Sequence, residues 1–230
     1  AWLEGVGITS EEASGMTDDA ATSQMITDQE NDTVCVGRAQ SGTKHRIEPD
    51  TQEVLTRSPY TMLGYYKSPG KTAETIDKDG WLHTGDQGEI DADGYLFLTG
   101  RVKDTFKTAK AKFIVPTEIE DKFVGNDDIE QMCILGIGMP QPILMVSLSE
   151  IGEARPQDAV LEGLQGQLTF VNTKLASYKK VAAIVIVKEQ FSVENDMLTP
   201  TLKIKRPKVH NRYKDRMLDW IESGVPVVEE

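Results

Sequence analysis

The 230-residue sequence is poor in the residues that make redox and metal chemistry. It holds two cysteines, Cys35 and Cys133, each inside an apolar run (TVCVG and QMCILGIG) where a thiol packs as a small hydrophobe. Cysteines so placed supply no disulfide framework. The three histidines, His45, His83 and His210, have no metal-ligand spacing with one another or with the cysteines, which argues against a site built of protein ligands alone. No apolar run approaches the roughly 20 residues of a membrane span. The opening AWLEGVGITSEE has neither an initiator Met nor a secretory-signal pattern, so it reads as the middle of a longer chain. Basic residues are outnumbered, with 25 Lys and Arg against 37 Asp and Glu and a formal charge of -12. Binding a polyanion needs a basic face that displaces counterions, so nucleic acid is not an expected partner. A small nucleotide held by a local basic cluster stays compatible with this balance.

What is present is an ordinary globular composition, 39% hydrophobic and 27% charged, long enough for one large or two modest cores. Residues 1–30 are rich in Thr, Ser and Asp with weak periodicity, which predicts loop and short helix. From 33 to 100, short apolar runs alternate with turn residues. TVCVG, KHRIE, EVLTRS, GEID and YLFLTG read as strands, with PDTQ, KSPGKT, DKDGW and DADGY as turns. Asp93-Gly94, between alternating apolar residues, predicts a tight hairpin turn with positive φ. Beyond about residue 104 the pattern turns mixed. Pro116 opens a helix carrying Ile119, Phe123 and Val124, and MCILGIG and ILMVSLSE are buried strands. Leu161, Leu164, Leu168, Val171 and Leu175 mark an amphipathic helix, and VAAIVIV at 181–187 a further strand. YKDRMLDWIESG is a last helix with Met217, Leu218, Trp220 and Ile221 on its apolar side. The expected fold class is α+β: a β-rich, distorted barrel-like subdomain at 1–100, a hinge at 101–104, and a small mixed lid domain at 105–230.

Three stretches carry candidate chemistry. Lys67-Ser-Pro-Gly70-Lys71-Thr72 ends like a phosphate loop, but five residues separate Gly64 from Gly70 and Pro69 removes an amide donor, so it reads as a turn with a helix starting at Lys71-Thr72. GWLHTGDQGEIDADGY places Asp86 between two glycines. An ionised carboxylate accepts through both oxygens and can grip two vicinal hydroxyls of a ribose; taken alone, Asp86 reads first as a turn or capping residue. Arg101, just past the hairpin, could add a cation to the same nucleotide or simply form a surface ion pair. In LTPTLKIKR, Pro200 breaks regular structure and a β-like extension puts Lys203 and Lys205 on one face with Ile204 on the other. A lysine delivered there could neutralise two anions brought together, although basic clusters are usually solvated.

The segments SPYTMLGYYKSPGKTAETI, GWLHTGDQGEIDADGYLFLTGRVKDTFKTAKAKFIVPTEIED and LTPTLKIKR together resemble adenylate-forming enzymes, in particular long-chain fatty-acyl-CoA synthetases. The similarity runs from EEASGMTDD to RPKVHNRY. It implies carboxylate activation by MgATP to an acyl-adenylate, then attack by coenzyme A to give thioester and AMP. By the same resemblance Asp86 would hold the ribose hydroxyls and Arg101 the same sugar. Thr17 would touch the AMP phosphate, and Asp18 would stand at the magnesium-binding position, where the family usually has Glu. Lys103 would be the hinge of a rotating lid, Lys203 the adenylation lysine, and Ala111 a position on the coenzyme A path where the family usually has Gly. Ser14 replaces an aromatic that stacks on adenine, removing a contact of about 1 kcal/mol. The implied partners are a fatty acid, ATP, coenzyme A and the N-terminal part of the same enzyme. That part would bring the phosphate loop and acyl pocket, so the 230-residue chain is not expected to form acyl-adenylate alone. The implied location is cytoplasmic, and peripheral contact with a membrane stays open. Two other readings fit the residues: a non-catalytic binding or regulatory homologue, and an adenylating enzyme that passes its acyl group to a carrier protein.

Overall fold

A computed structural model describes residues 13–14, 16, 18, 24–25 and 35–230. The chain divides into two compact units, Ala1–Lys103 and Asp104–Glu230. Together they form an α+β protein, and no helix among the described residues is long and apolar enough to cross a membrane.

The first unit is one curled antiparallel sheet. Its strands are β1 (Ala13–Ser14), β2 (Gln24–Met25), β3 (Cys35–Ala39), β4 (Lys44–Ile47), β5 (Glu53–Arg57), β6 (Leu82–Ile90) and β7 (Tyr95–Arg101), in the order β1-β2-β3-β7-β6-β5-β4. The two short strands β1 and β2 stand where the polarity of residues 1–30 predicted only loop and short helix; their backbones pair with each other and β2 pairs with β3. Val54, Leu55, Leu82 and Leu96 are buried, each 2% exposed or less. The KSPGKT segment departs from expectation: helix α1 (Pro69–Thr75) begins at Pro69, two residues earlier than Lys71. Proline there is favourable because a first-turn amide has no intrahelical acceptor. The hairpin between β6 and β7 also differs in detail. Its loop is four residues long, and only Gly94 has positive φ, +87°. The Asp91 carboxylate accepts from the amides of Asp93 and Tyr95, both at 2.9 Å, and this Asx turn makes a left-handed Asp93 unnecessary.

The second unit is a mixed sheet covered on both faces. A small hairpin, β8 (Phe106–Lys107) and β9 (Phe113–Ile114), leads to α2 (Pro116–Glu120). Strands β10 (Ile129–Leu135), β11 (Ile143–Leu148), β12 (Ile184–Ile186) and β13 (Val227–Glu229) lie in that order, antiparallel at the first junction and parallel at the other two. The parallel step from β11 to β12 needs a crossover. Helices α3 (Glu150–Ala154) and α4 (Gln157–Lys174) supply it, and α5 (Arg206–Glu222) follows β12. Strand period sorts β11 between two cores: Leu144 and Val146 meet α4 through Val160, Leu164, Leu168 and Val171, whereas Ile143 and Met145 meet α5 through Val209, Tyr213, Met217 and Trp220.

Three residues or runs depart from the burial and strand extent that period alone predicts. Val124 is 68% exposed because α2 ends at Glu120, so helical spacing no longer carries it to the core. Leu218 is 42% exposed, since the buried stripe of α5 steps from Met217 to Trp220. Only Ile184–Ile186 of 181–187 is strand, although Val181, Ala183 and Val187 are buried beside it.

Candidate functional site

Asp86 owes its position to a bulge. Glu53 of β5 pairs with Gln87 and Leu55 with His83, so Val54 alone stands opposite the three residues Thr84, Gly85 and Asp86. An insertion of this kind bends the strand and re-aims side chains. Four interactions hold it on one side. Gly85, at φ +75°, donates its amide to Glu53 Oε1 at 2.8 Å, and His83 Nδ1 lies 3.0 Å from Glu53 Oε2. Thr84 Oγ1 donates to the Val54 carbonyl at 2.7 Å and accepts the Asp86 amide at 3.1 Å. On the other side, Asp86 pairs across the ladder with Arg101 of β7, and the Val102 amide donates to the Gly85 carbonyl at 2.9 Å. Gly88 is fixed by space: a Cβ there would sit 2.6 Å from the Phe97 carbonyl oxygen.

The register therefore brings Asp86 and Arg101 together, with Arg101 Nε 2.9 Å from Asp86 Oδ1. The Arg101 side chain is 59% exposed and that of Asp86 26%. A pair this open contributes on the order of 0.2–1 kcal/mol, so exchanging it for ligand hydroxyls costs the fold little. A carboxylate with an adjacent guanidinium suits a vicinal diol, because the carboxylate oxygens accept while the guanidinium donates. Glu53, His83 and Thr84 were not singled out by sequence reasoning as parts of this site. Their signal was faint: a lone glutamate in EVLTRS, and a loss of alternation at HTGD.

Asp18 lies in the same unit. Its Oδ2 accepts the Tyr65 hydroxyl at 2.5 Å, and its carbonyl accepts the Met62 amide at 2.9 Å. The hydrogen bond to Asp18, aided by burial, raises the Tyr65 phenol above its usual range. Among the described residues no group of three or more His, Cys, Asp or Glu side chains could hold a metal. One carboxylate is still enough for magnesium bound mainly through phosphates and water, and Asp18 fits that role. Ser14 pairs with Gln24 across β1 and β2, and Thr17 lies outside the described residues. Lys103 is exposed and ends the first unit.

Ala111 and Lys203 belong to the second unit. Ala111 turns the β8–β9 hairpin at φ +56°, exposed, donating its amide to the Thr108 carbonyl at 2.9 Å. A left-handed backbone is where glycine is ordinarily found. Lys203 stands on a loop closed by a bridge between Leu198 and Ile204. Its side chain is exposed and enters no ion pair among the described residues. The expected sharing of one face by Lys203 and Lys205 does not extend to their partners, because Lys205 Nζ is bonded to Asp196 Oδ1 at 2.5 Å. Arg206 turns inward. It meets Glu120 through both terminal guanidinium nitrogens, at 2.7 and 3.2 Å, and donates to the Ile134 carbonyl at 2.7 Å. Burial alone would lower the Arg206 pKa, but the neighbouring Cys133, Glu120 and Asp104 outweigh it and raise it. Cys133 beside it is sealed in the core, and burial pushes its thiol up to about 12.

Comparison with known proteins gives this geometry a context. Residues 103–222 match the AMP-binding enzyme C-terminal domain. The long-chain-fatty-acid–CoA ligase 1 of Cavia porcellus is 33% identical over 194 residues, which are 76% of this chain and 28% of the relative. Long-chain-fatty-acid–CoA ligase 5 of Rattus norvegicus is 32% identical over 189 residues, 74% of this chain and 28% of its own. The chain thus spans little more than a quarter of the curated relatives it matches. Among solved structures, the adenylation domain of a carboxylate reductase from Mycobacterium chelonae superposes with a TM-score of 0.74 at 22% identity, covering 94% of this chain and 35% of that one. An anthranilate CoA ligase in complex with anthranoyl-AMP gives 0.70 at 24%, covering 92% and 41%. Identities this low speak for the fold alone.

Proposed function

The chain belongs to the AMP-forming acyl-CoA synthetase family, whose AMP-binding enzyme C-terminal domain it carries at residues 103–222, and we propose that it serves as the C-terminal part of a longer ligase joining long-chain fatty acids to coenzyme A. The observation that carries this reading is the Asp86–Arg101 pair, a carboxylate and a guanidinium facing each other at 2.9 Å on a pinned bulge. The fatty-acid class comes from the ligases it resembles.

In the proposed reaction the fatty-acid carboxylate attacks the α-phosphorus of ATP and pyrophosphate leaves. The coenzyme A thiol then attacks the acyl carbonyl of the adenylate and AMP leaves. Asp86 accepts hydrogen bonds from the two ribose hydroxyls, and Arg101 contacts the same sugar. Thr17 contacts the AMP phosphate, and Asp18 supplies one carboxylate toward magnesium, which when bound neutralises phosphate charge. Lys203 comes between carboxylate and α-phosphate, where a cation lowers the repulsion of two anions and gains most as charge builds in the transition state. Lys103 is the hinge about which residues 105–230 turn as a lid, and Ala111 lies along the approach of the thiol. The reaction is placed in the cytoplasm, where ATP and coenzyme A are both present.

The test is acid-dependent ATP–pyrophosphate exchange with palmitate. The complete enzyme is expected to exchange and the isolated 230-residue chain not to. Asp86→Ala in the complete enzyme should raise the KM for ATP by about tenfold or more, the worth of hydrogen bonds to a charged acceptor. An unchanged KM for ATP would remove the ribose-clamp assignment.

A further inference from the structure

Lys203 stands on a loop whose flanks are anchored separately from its tip, and we infer that Glu120 and Asp196 are positioning residues for it, acting through Arg206 and through Lys205 and Lys208. This rests on Lys203 being the adenylation lysine, as proposed above. Four cations fall within six residues: Lys203, Lys205, Arg206 and Lys208. Three are committed to carboxylates, and Lys203 alone enters no ion pair among the described residues.

Local bonds set the loop's shape. Thr199 donates its amide to the Lys203 carbonyl at 2.8 Å, and the Lys203 amide donates to Thr199 Oγ1 at 3.0 Å. Leu202 takes φ +60° to close the turn and donates its amide to the Thr199 carbonyl at 2.8 Å. None of these bonds reaches outside the loop, so they fix its form without fixing where it points. That second task falls to the flanks. On the inner side, the Arg206 fork meets both oxygens of Glu120, with the two side chains 13% and 14% exposed. Glu120 Oε1 also accepts the Ile134 amide at 2.6 Å, which ties the pair to β10. A two-pronged contact of this kind sets orientation as well as distance. On the outer side, the Asp196 carboxylate receives Lys205 Nζ at 2.5 Å and Lys208 Nζ at 2.7 Å. Those two hydrogen bonds hold its pKa down to about 2. Apolar residues of similar volume would stabilise the inner contact as well or better. What they would not do is fix the direction of the residue three positions upstream.

Glu120→Gln and Asp196→Asn in the complete enzyme test this, Asp196 being exposed so that its replacement leaves the core untouched. Each variant is assayed for ATP–pyrophosphate exchange, for thioester formation from supplied acyl-adenylate, and for hydrogen exchange at the Thr199 and Lys203 amides. A misplacement of about 1 Å costs up to about a hundredfold in rate. The expected result is a fall in exchange turnover of about tenfold or more with KM for ATP unchanged and faster amide exchange at 199 and 203. Thioester formation should be kept. Exchange at the wild-type rate in both variants, or a parallel fall in both half-reactions, would overturn the inference. Lys203→Ala is run beside them. If it loses exchange while both variants keep it, the positioning inference alone fails; if it exchanges normally, the reading of Lys203 itself fails.

Discussion

Replacing Ala111 by glycine should make the second unit more stable, although it removes a methyl group. Ala111 occupies φ +56° at the tip of the β8–β9 hairpin and is exposed, so its Cβ forfeits no buried contact when deleted. Holding an L-residue in the left-handed region costs about 1–2 kcal/mol. Glycine escapes that cost but gains freedom in the unfolded chain, which returns about 0.4–1 kcal/mol. The net expectation is a gain of about 0.5–1 kcal/mol. With a urea slope of about 1–3 kcal/mol/M, the midpoint should rise by several tenths molar. Trp220 is the one tryptophan of residues 104–230, so its fluorescence follows this unit once Trp2 and Trp81 are replaced by phenylalanine. Ala109→Gly is the control: Ala109 shares the turn but lacks a positive φ, and should lose about 0.4–1 kcal/mol. Opposite signs for the two variants are required. A lower midpoint for Ala111→Gly would refute the strain argument, and with it the physical reason for glycine at this turn.

Other outcomes follow from the same contacts. Glu53→Ala leaves the Gly85 amide and His83 without their acceptor, so it should cost about 1–3 kcal/mol in denaturation and raise the KM for ATP in the complete enzyme; a change in stability with ATP binding untouched would separate the bulge from the nucleotide. Cys133, fully buried and with its thiol held up near 12, should resist iodoacetamide at pH 8 in the folded chain and react after denaturation, as mass spectrometry will read. Burial, aided by the Lys214 charge, depresses the His210 pKa. The unfolded chain then binds the proton first, so stability should decline as pH falls from about 6.5 toward the folded value, then level off. Urea midpoints at pH 7.5 and 5 should converge in His210→Gln, and an unchanged gap would contradict this.

Most strands and the helices over the two cores of the second unit were legible because burial follows period. Leu164, Leu168, Val171, Met217 and Trp220 all sit where spacing put them. Asp86 was legible as a candidate through its flanking glycines, but its setting was not. Nine residues, Leu82–Ile90, form one strand, of which only the end was read from sequence, because the Thr84–Asp86 bulge destroys the alternation that marks a strand. The residues that pin that bulge lie about thirty positions upstream, and Glu120 lies 86 positions from Arg206. No local pattern links such pairs; they meet only through the sheet. Residues whose conformation is set by a hydrogen bond also escaped. Asp91 bonding Asp93 and Tyr95 changed the expected turn, and Pro69 started α1 where the motif suggested Lys71.

The central claim is that Lys203 serves carboxylate activation in an AMP-forming ligase to which this chain contributes. Measuring both half-reactions of Lys203→Ala in the complete enzyme tests it most directly. Loss of one preorganised cation should lower palmitate-dependent ATP–pyrophosphate exchange by about a hundredfold or more, while thioester formation from supplied palmitoyl-adenylate and coenzyme A continues near the wild-type rate. Equal losses in the two half-reactions, or exchange that survives the substitution, would contradict the claim.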